Sequence, residues 1–99
     1  MTINVERDFE LIILEITGRL DTTTAPNLET VVRELSEDTK ELVFDMSEVE
    51  YISSAGIRVL LASYKKMNSN HGIMRVEKAS DMVRDVFEMT GLSQMLEQE

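Results

Sequence analysis

Two adjacent serines, Ser53 and Ser54, stand directly before an apolar helical stripe in the stretch YISSAGIRVLLASY, residues 51–64. A hydroxyl in that position can do one of three things. It can cap the helix by accepting a first-turn backbone N–H. It can attack as a nucleophile if a base activates it. It can accept a phosphoryl group, because the free N–H groups and the helix dipole favour an anion there. One cap explains one serine and leaves the other over. A capping box would set Glu or Gln three residues after the cap, but those places hold Gly56 and Ile57. Ile52, Ala55 and Ile57 surround the pair with small or apolar side chains, so an apolar surface patch around one hydroxyl is expected, and such patches mark partner sites.

Nucleophilic catalysis is poorly supplied. The chain has one histidine, His71, in the turn NSNHG, and no cysteine. An enzyme would have to draw on Asp21, His71 and a serine, and SSAG is not the G-x-S-x-G elbow. Gly18, Gly56, Gly72 and Gly91 are scattered and form no phosphate loop. No cofactor or metal site is expected, and the chain reads as a non-enzyme. The seven methionines read as core filling, with Met82 in a helix stripe and Met74 in a strand.

The elements that carry these residues follow from periodicity. TINVE alternates like an edge strand, with a turn at Arg7–Asp8. FELIILEITG reads as a strand ending at Gly18. In DTTTAPNLETVVRELSE, Leu28, Val31, Val32 and Leu35 make an amphipathic stripe behind the start signals of the threonines and Pro26. KELVFDMS is a short strand with a continuous apolar centre, Leu42-Val43-Phe44, as in a strand buried on both faces. Ile57, Leu60, Leu61 and Tyr64 form the next stripe, IMRVE the next strand, and Ala79, Met82, Val83 and Val86 a third helix stopped at Gly91. The tail LSQMLEQE fits a last strand or a short helix. The order β-β-α-β-α-β-α predicts an α/β domain with a mostly parallel sheet, and right-handed crossovers with one-striped helices predict a two-layer sandwich.

At 99 residues the chain makes a single domain, residues 1–99, with 42% hydrophobic and 29% charged residues. Ten Lys and Arg against 19 Asp and Glu give a net charge of −9. Phosphate neutralisation by cations dominates nucleic-acid affinity, so this balance argues against DNA, RNA and anionic membranes. The N-terminus has no basic and apolar leader, and no apolar run is long enough to span a bilayer. The reading is a soluble, cytoplasmic protein.

Three segments together resemble the STAS domains of bacterial anti-sigma factor antagonists: LVFDMSEVEYISSAGIRVLLASYKKM, GRLDTTTAPNLE, and GIMRVEKASDMVRDVFEMTGL. The resemblance implies a STAS-type single domain, a small mixed sheet of four to five strands with helices packed mainly on one face. It implies an anti-sigma factor antagonist whose unphosphorylated form binds an anti-sigma factor with serine kinase activity and so releases the sigma factor. Phosphorylation at Ser54 would switch that binding off, and a metal-dependent serine phosphatase would restore it. The partner surface implied is Asp21, Thr22 and Thr23 together with Ile52, Ser53, Ser54, Ala55, Gly56, Ile57 and Arg58. Asp21 resembles a family residue that helps partner binding or phosphotransfer. Familiar antagonists carry Asp before the phosphorylated serine; here Ser53 stands there, which keeps Ser53 as the alternative acceptor. The same departure keeps open a constitutive STAS subunit of a lipid-transport ABC complex or a stressosome-type scaffold.

Overall fold

A computed structural model describes residues 1–95. Its elements are β1 (Thr2–Asp8), β2 (Leu11–Leu20), α1 (Ala25–Arg33), β3 (Glu41–Ile52), α2 (Ser54–Ser69), β4 (Ile73–Glu77), α3 (Asp81–Met89) and a final 3-10 turn at Ser93–Met95. The four strands lie in the order β1-β2-β3-β4. β1 is antiparallel to β2, and β2, β3 and β4 are mutually parallel. The fold is therefore the expected α/β arrangement with a mixed sheet. Of the two readings of the tail, the short helix is observed over Ser93–Met95; residues 96–99 lie outside the described part.

One face of the sheet is the core. Ile12, Leu14 and Ile16 of β2, Leu42, Phe44 and Met46 of β3, and Met74 and Val76 of β4 alternate onto it. They form one buried cluster with Leu28 and Val32 of α1, Ile57, Val59, Leu60 and Met67 of α2, and Val83 and Phe87 of α3. Helix stripes and strand alternation thus meet in one layer of packing. Met46, Met67, Met74 and Met95 are buried in it, while Met89 is exposed.

The other face carries no helix from this cluster. Val43 sits there between its cross-strand neighbours Ile13 and Arg75 and is buried nonetheless. Arg75 Nε donates to Glu77 at 2.9 Å and its guanidinium also pairs with Glu41. Those carboxylates, Glu41 first, hold the guanidinium proton more tightly than usual. The continuous apolar run of β3 is thus buried on both faces, by helices on one side and by neighbouring side chains on the other.

Three strand boundaries differ from the sequence reading. The hairpin turns at Phe9–Glu10 rather than Arg7–Asp8, because Asp8 still pairs with Leu11. Phe9 supplies the positive φ, 55°, that a two-residue hairpin loop requires. β2 continues through Gly18 to Leu20 with a register shift on either side of Gly18's neighbourhood, and Gly18 itself adopts φ 99°. β3 runs on to Ile52. Asp45 Oδ1 accepts the Ser47 N–H at 3.1 Å and its hydroxyl at 2.9 Å, and past this irregular point Val49 and Ile52 are again buried. These extensions carry β2 and β3 together to the end of the molecule where the candidate site lies.

Candidate functional site

The site is built where β2 and β3 end side by side. Leu20 pairs with Ile52, and the chain leaves β2 into the turn Asp21–Thr24. Asp21 Oδ1 organises that turn. It accepts the Thr23 hydroxyl at 2.8 Å, the Thr23 N–H at 3.0 Å and the Thr24 N–H at 3.1 Å. Thr24 Oγ1 closes it from the other side, accepting the Asp21 N–H at 2.9 Å and donating to the Arg19 carbonyl at 2.7 Å. This is the side-chain mimicry of a turn that Asp and Thr favour. α1 starts directly after it, with Pro26 in its first turn, where a missing N–H costs nothing.

The Thr23 hydroxyl, followed by the backbone N–H groups of Thr23 and Thr24, holds the Asp21 carboxyl at about 2, below its usual 3.8. The sign is that of a depressed acid. Between pH 3.8 and about 2 the unfolded chain binds the proton more readily, so stability is present above this window and is lost as pH falls through it. Asp21→Asn is expected to flatten the pH dependence of the melting temperature in that window. An unchanged slope would remove Asp21 from the account of the turn.

β3 delivers the serine pair to the same place. The Ser53 N–H donates to the Leu20 carbonyl at 2.9 Å, tying the end of β2 to the start of α2. Ser53 has the extended backbone of an N-cap, and its Oγ accepts the Gly56 N–H at 3.4 Å. Gly56 is where α2 presses on β2. A Cβ there would lie 2.7 Å from Leu20 Cγ and 3.0 Å from the Leu20 carbonyl oxygen. Ser54, the first residue of α2, is exposed, and among the described residues its hydroxyl makes no hydrogen bond. The division of labour is therefore visible: one serine caps and the other faces solvent. Ser53→Ala is expected to cost about 0.5–1 kcal/mol in urea unfolding, the low end for a cap whose bond is long. Ser54→Ala is expected to stay within about 0.5 kcal/mol of the parent. Equal losses in the two variants would contradict this assignment.

The expected residues come together, but not all at the surface. Thr22, Thr23, Ser54 and Arg58 are exposed, and Asp21, Ser53 and Ala55 partly so. Ile52, Gly56 and Ile57 are buried. The apolar patch expected around the hydroxyl is accordingly absent: Ile52 and Ile57 belong to the core cluster and support the helix start from beneath. The sequence reading missed two features of the rim. Arg19 lies over the Tyr51 ring with its guanidinium carbon 4.3 Å from the centroid, within cation–π range. A groove of about 400 Å³ opens between α1 and α2, with Thr22, Pro26 and Glu29 on one wall and Ala55, Arg58 and Ala62 on the other. Arg19 and Tyr51 are cross-strand partners. Knowing the register would have paired them; periodicity does not give register.

His71 is elsewhere. It follows the far end of α2, a helix of 16 residues and hence about 24 Å long. The set Asp21, His71 and a serine is therefore not assembled, because the length of α2 separates the imidazole from Ser54.

This sheet order, and a capped helix start packed on a G-R-L-D turn, define the class. Residues 2–98 match the family model of the STAS domain, and the chain belongs to that family. Among its relatives is the anti-sigma-B factor antagonist of Staphylococcus aureus, 28% identical over 99 residues, covering 97% of this chain and 92% of the relative. The crystal structure of an anti-sigma factor antagonist from Mycobacterium paratuberculosis superposes with a TM-score of 0.84 at 30% identity, over 99% of this chain and 86% of that one. SpoIIAA of Bacillus in its phosphorylated form superposes with a TM-score of 0.81 over 99% of this chain and 91% of that one; at 15% identity the likeness is one of fold.

Proposed function

We propose that this chain is an anti-sigma factor antagonist and that Ser54 is its switch. The observation that carries the reading is the division between the serines. Ser53 holds the helix start, and Ser54, one residue on, presents a free hydroxyl at the surface. A hydroxyl with no hydrogen bond among the described residues and no structural duty is suited to being modified by another protein.

The unphosphorylated rim binds an anti-sigma factor with serine kinase activity, through Thr22, Thr23, Ala55 and Arg58 around Ser54. The bound kinase brings ATP to the hydroxyl. Ser54 Oγ bonds to the γ-phosphorus while the bond from that phosphorus to the β–γ bridging oxygen breaks. ADP leaves, and the hydroxyl proton passes to a base of the kinase. The product carries about −1.5 to −2 added charge at a helix N-terminus, which the fold accommodates. A partner surface packed over the same spot does not, and the complex comes apart. A metal-dependent serine phosphatase removes the group and restores binding. The cycle takes place in the cytoplasm, and the protein itself holds no cofactor.

The test is affinity capture from native lysate with the unmodified protein and Ser54→Glu side by side, read by mass spectrometry. A kinase-type ATPase held by the first and lost from the second is the expected result. An ABC ATPase or a scaffold protein held equally by both would overturn the switch and make the chain a constitutive binding subunit.

A further inference from the structure

The phosphate proposed for Ser54 has a cation waiting for it on the same helix. Ser54 and Arg58 are four residues apart on α2, so their Cβ atoms lie about 5–6 Å apart on one face. Both side chains are exposed. The other cations near this end and along the same two helices are engaged. Arg19 lies over Tyr51 and its Nε is 3.6 Å from Asp21. Arg33 pairs with Glu29, and Lys66 donates to the carbonyls of Val32 and Arg33 at 3.0 Å each. Arg58 has no ion pair and no hydrogen bond among the described residues, although Glu29 lines the same groove from α1.

We propose that Arg58 is the receiver of the Ser54 phosphate, folding back one turn to clamp it. A guanidinium matches two phosphate oxygens at once, and a charge-assisted bidentate contact is among the stronger polar contacts available at a surface. This inference rests on Ser54 being the modified residue, and it adds what the modification does locally. The clamp favours the doubly charged phosphate over the singly charged one, so the group is fully ionised at neutral pH. It also withdraws the one unengaged cation of the groove mouth from any partner. Phosphorylation then changes the surface twice, adding an anion and removing a cation. The other charges on the elements around the spot are Asp21, which stays ionised, Arg19 at the end of β2, the exposed Glu48 and Glu50 of β3, and Glu29 on α1. None of them is altered by changing Arg58.

The experiment uses the full chain with phosphoserine incorporated at position 54 during synthesis, so that no kinase is needed. The phosphorus resonance is titrated from acid to neutral pH in the parent, Arg58→Gln and Arg58→Lys. Free phosphoserine loses its second proton near pH 6. The parent is expected to lose it about half a pH unit lower than Arg58→Gln, with Arg58→Lys between them, and the gap is expected to close in about 1 M salt. Equal titration of the parent and Arg58→Gln, or a gap that salt leaves intact, would overturn the clamp. Failure of the chain to be phosphorylated by any partner would instead remove the proposed switch and leave this result standing.

Discussion

Ser54→Glu is expected to weaken binding to the captured kinase-type partner by about thirty-fold to a few thousand-fold, measured by titration calorimetry. Ser54→Ala is expected to bind within about threefold of the parent. The argument is one of desolvation. A surface that packs over an uncharged hydroxyl leaves no water for a carboxylate placed there. Burying one unpaired charge in an interface costs about 2–5 kcal/mol, and about 1.4 kcal/mol is a factor of ten. The same carboxylate costs the free protein little, because it sits in the first turn of α2, where the dipole and unsatisfied N–H groups favour it. The variant should therefore melt with the parent while failing to bind. That combination separates a switch from a damaged fold. Equal binding by Ser54→Ala and Ser54→Glu would mean that the partner does not cover Ser54.

The second large effect is on the scaffold. Gly56→Val is expected to destabilise the protein by about 1–3 kcal/mol in urea unfolding, because it drives a branched side chain into a space already filled. A Cβ at this position would meet Leu20 Cγ at 2.7 Å, the Leu20 carbonyl oxygen at 3.0 Å and Ile52 Cγ1 at 3.1 Å. Leu20 can shift its side chain, but its carbonyl is fixed by the Ser53 N–H. The better helix propensity of Val over Gly returns only a few tenths of a kcal/mol. Relief of the clash requires the helix start to move off β2, so the cap and the Ser53–Leu20 bond weaken together. Binding should fall along with stability, unlike Ser54→Glu. An unchanged unfolding midpoint would show that α2 can rise from β2 at no cost, and the rigid placement of Ser54 would lose its basis.

Much of the fold was legible because each element has one dominant period. The stripes of α1, α2 and α3 place Leu28 and Val32, Ile57 and Leu60, and Val83 in the core, while Val31, Leu61, Tyr64, Met82 and Val86 pack against it half-buried. Ala79 precedes α3, and the fully buried Phe87 was not picked out. Leu35 is buried although α1 has ended at Arg33, so the stripe was right where the helix boundary was not. The lengths of β2 and β3 were not legible. Beyond Gly18 and beyond Asp45 both strands pass through register shifts, and a shifted strand no longer alternates in step with its beginning. Strand order depends on crossovers between distant residues and is invisible to a period.

The site was legible in its parts rather than in its join. Two serines where a cap needs one, and Asp followed by three threonines, are local signals. Their meeting depends on the bond from the Ser53 N–H to the Leu20 carbonyl and on Gly56 lying against Leu20, which link segments more than thirty residues apart. The apolar patch inferred around the hydroxyl failed for a related reason. Ile52 and Ile57 flank the serines in sequence, but the strand end and the helix stripe both turn them inward. The chemistry of the rim is polar and of mixed charge instead, set by Asp21, Thr22, Arg58 and the Arg19–Tyr51 pair.

The most direct measurement is a single-turnover phosphorylation. The captured partner is incubated with Mg-ATP and either the parent, Ser53→Ala or Ser54→Ala, and the products are mapped by mass spectrometry. One phosphoryl group on Ser54 in the parent and in Ser53→Ala, with none on Ser54→Ala, is the predicted result. Phosphate on Ser53, or no phosphate on either serine while the complex stays intact in ATP, would contradict it.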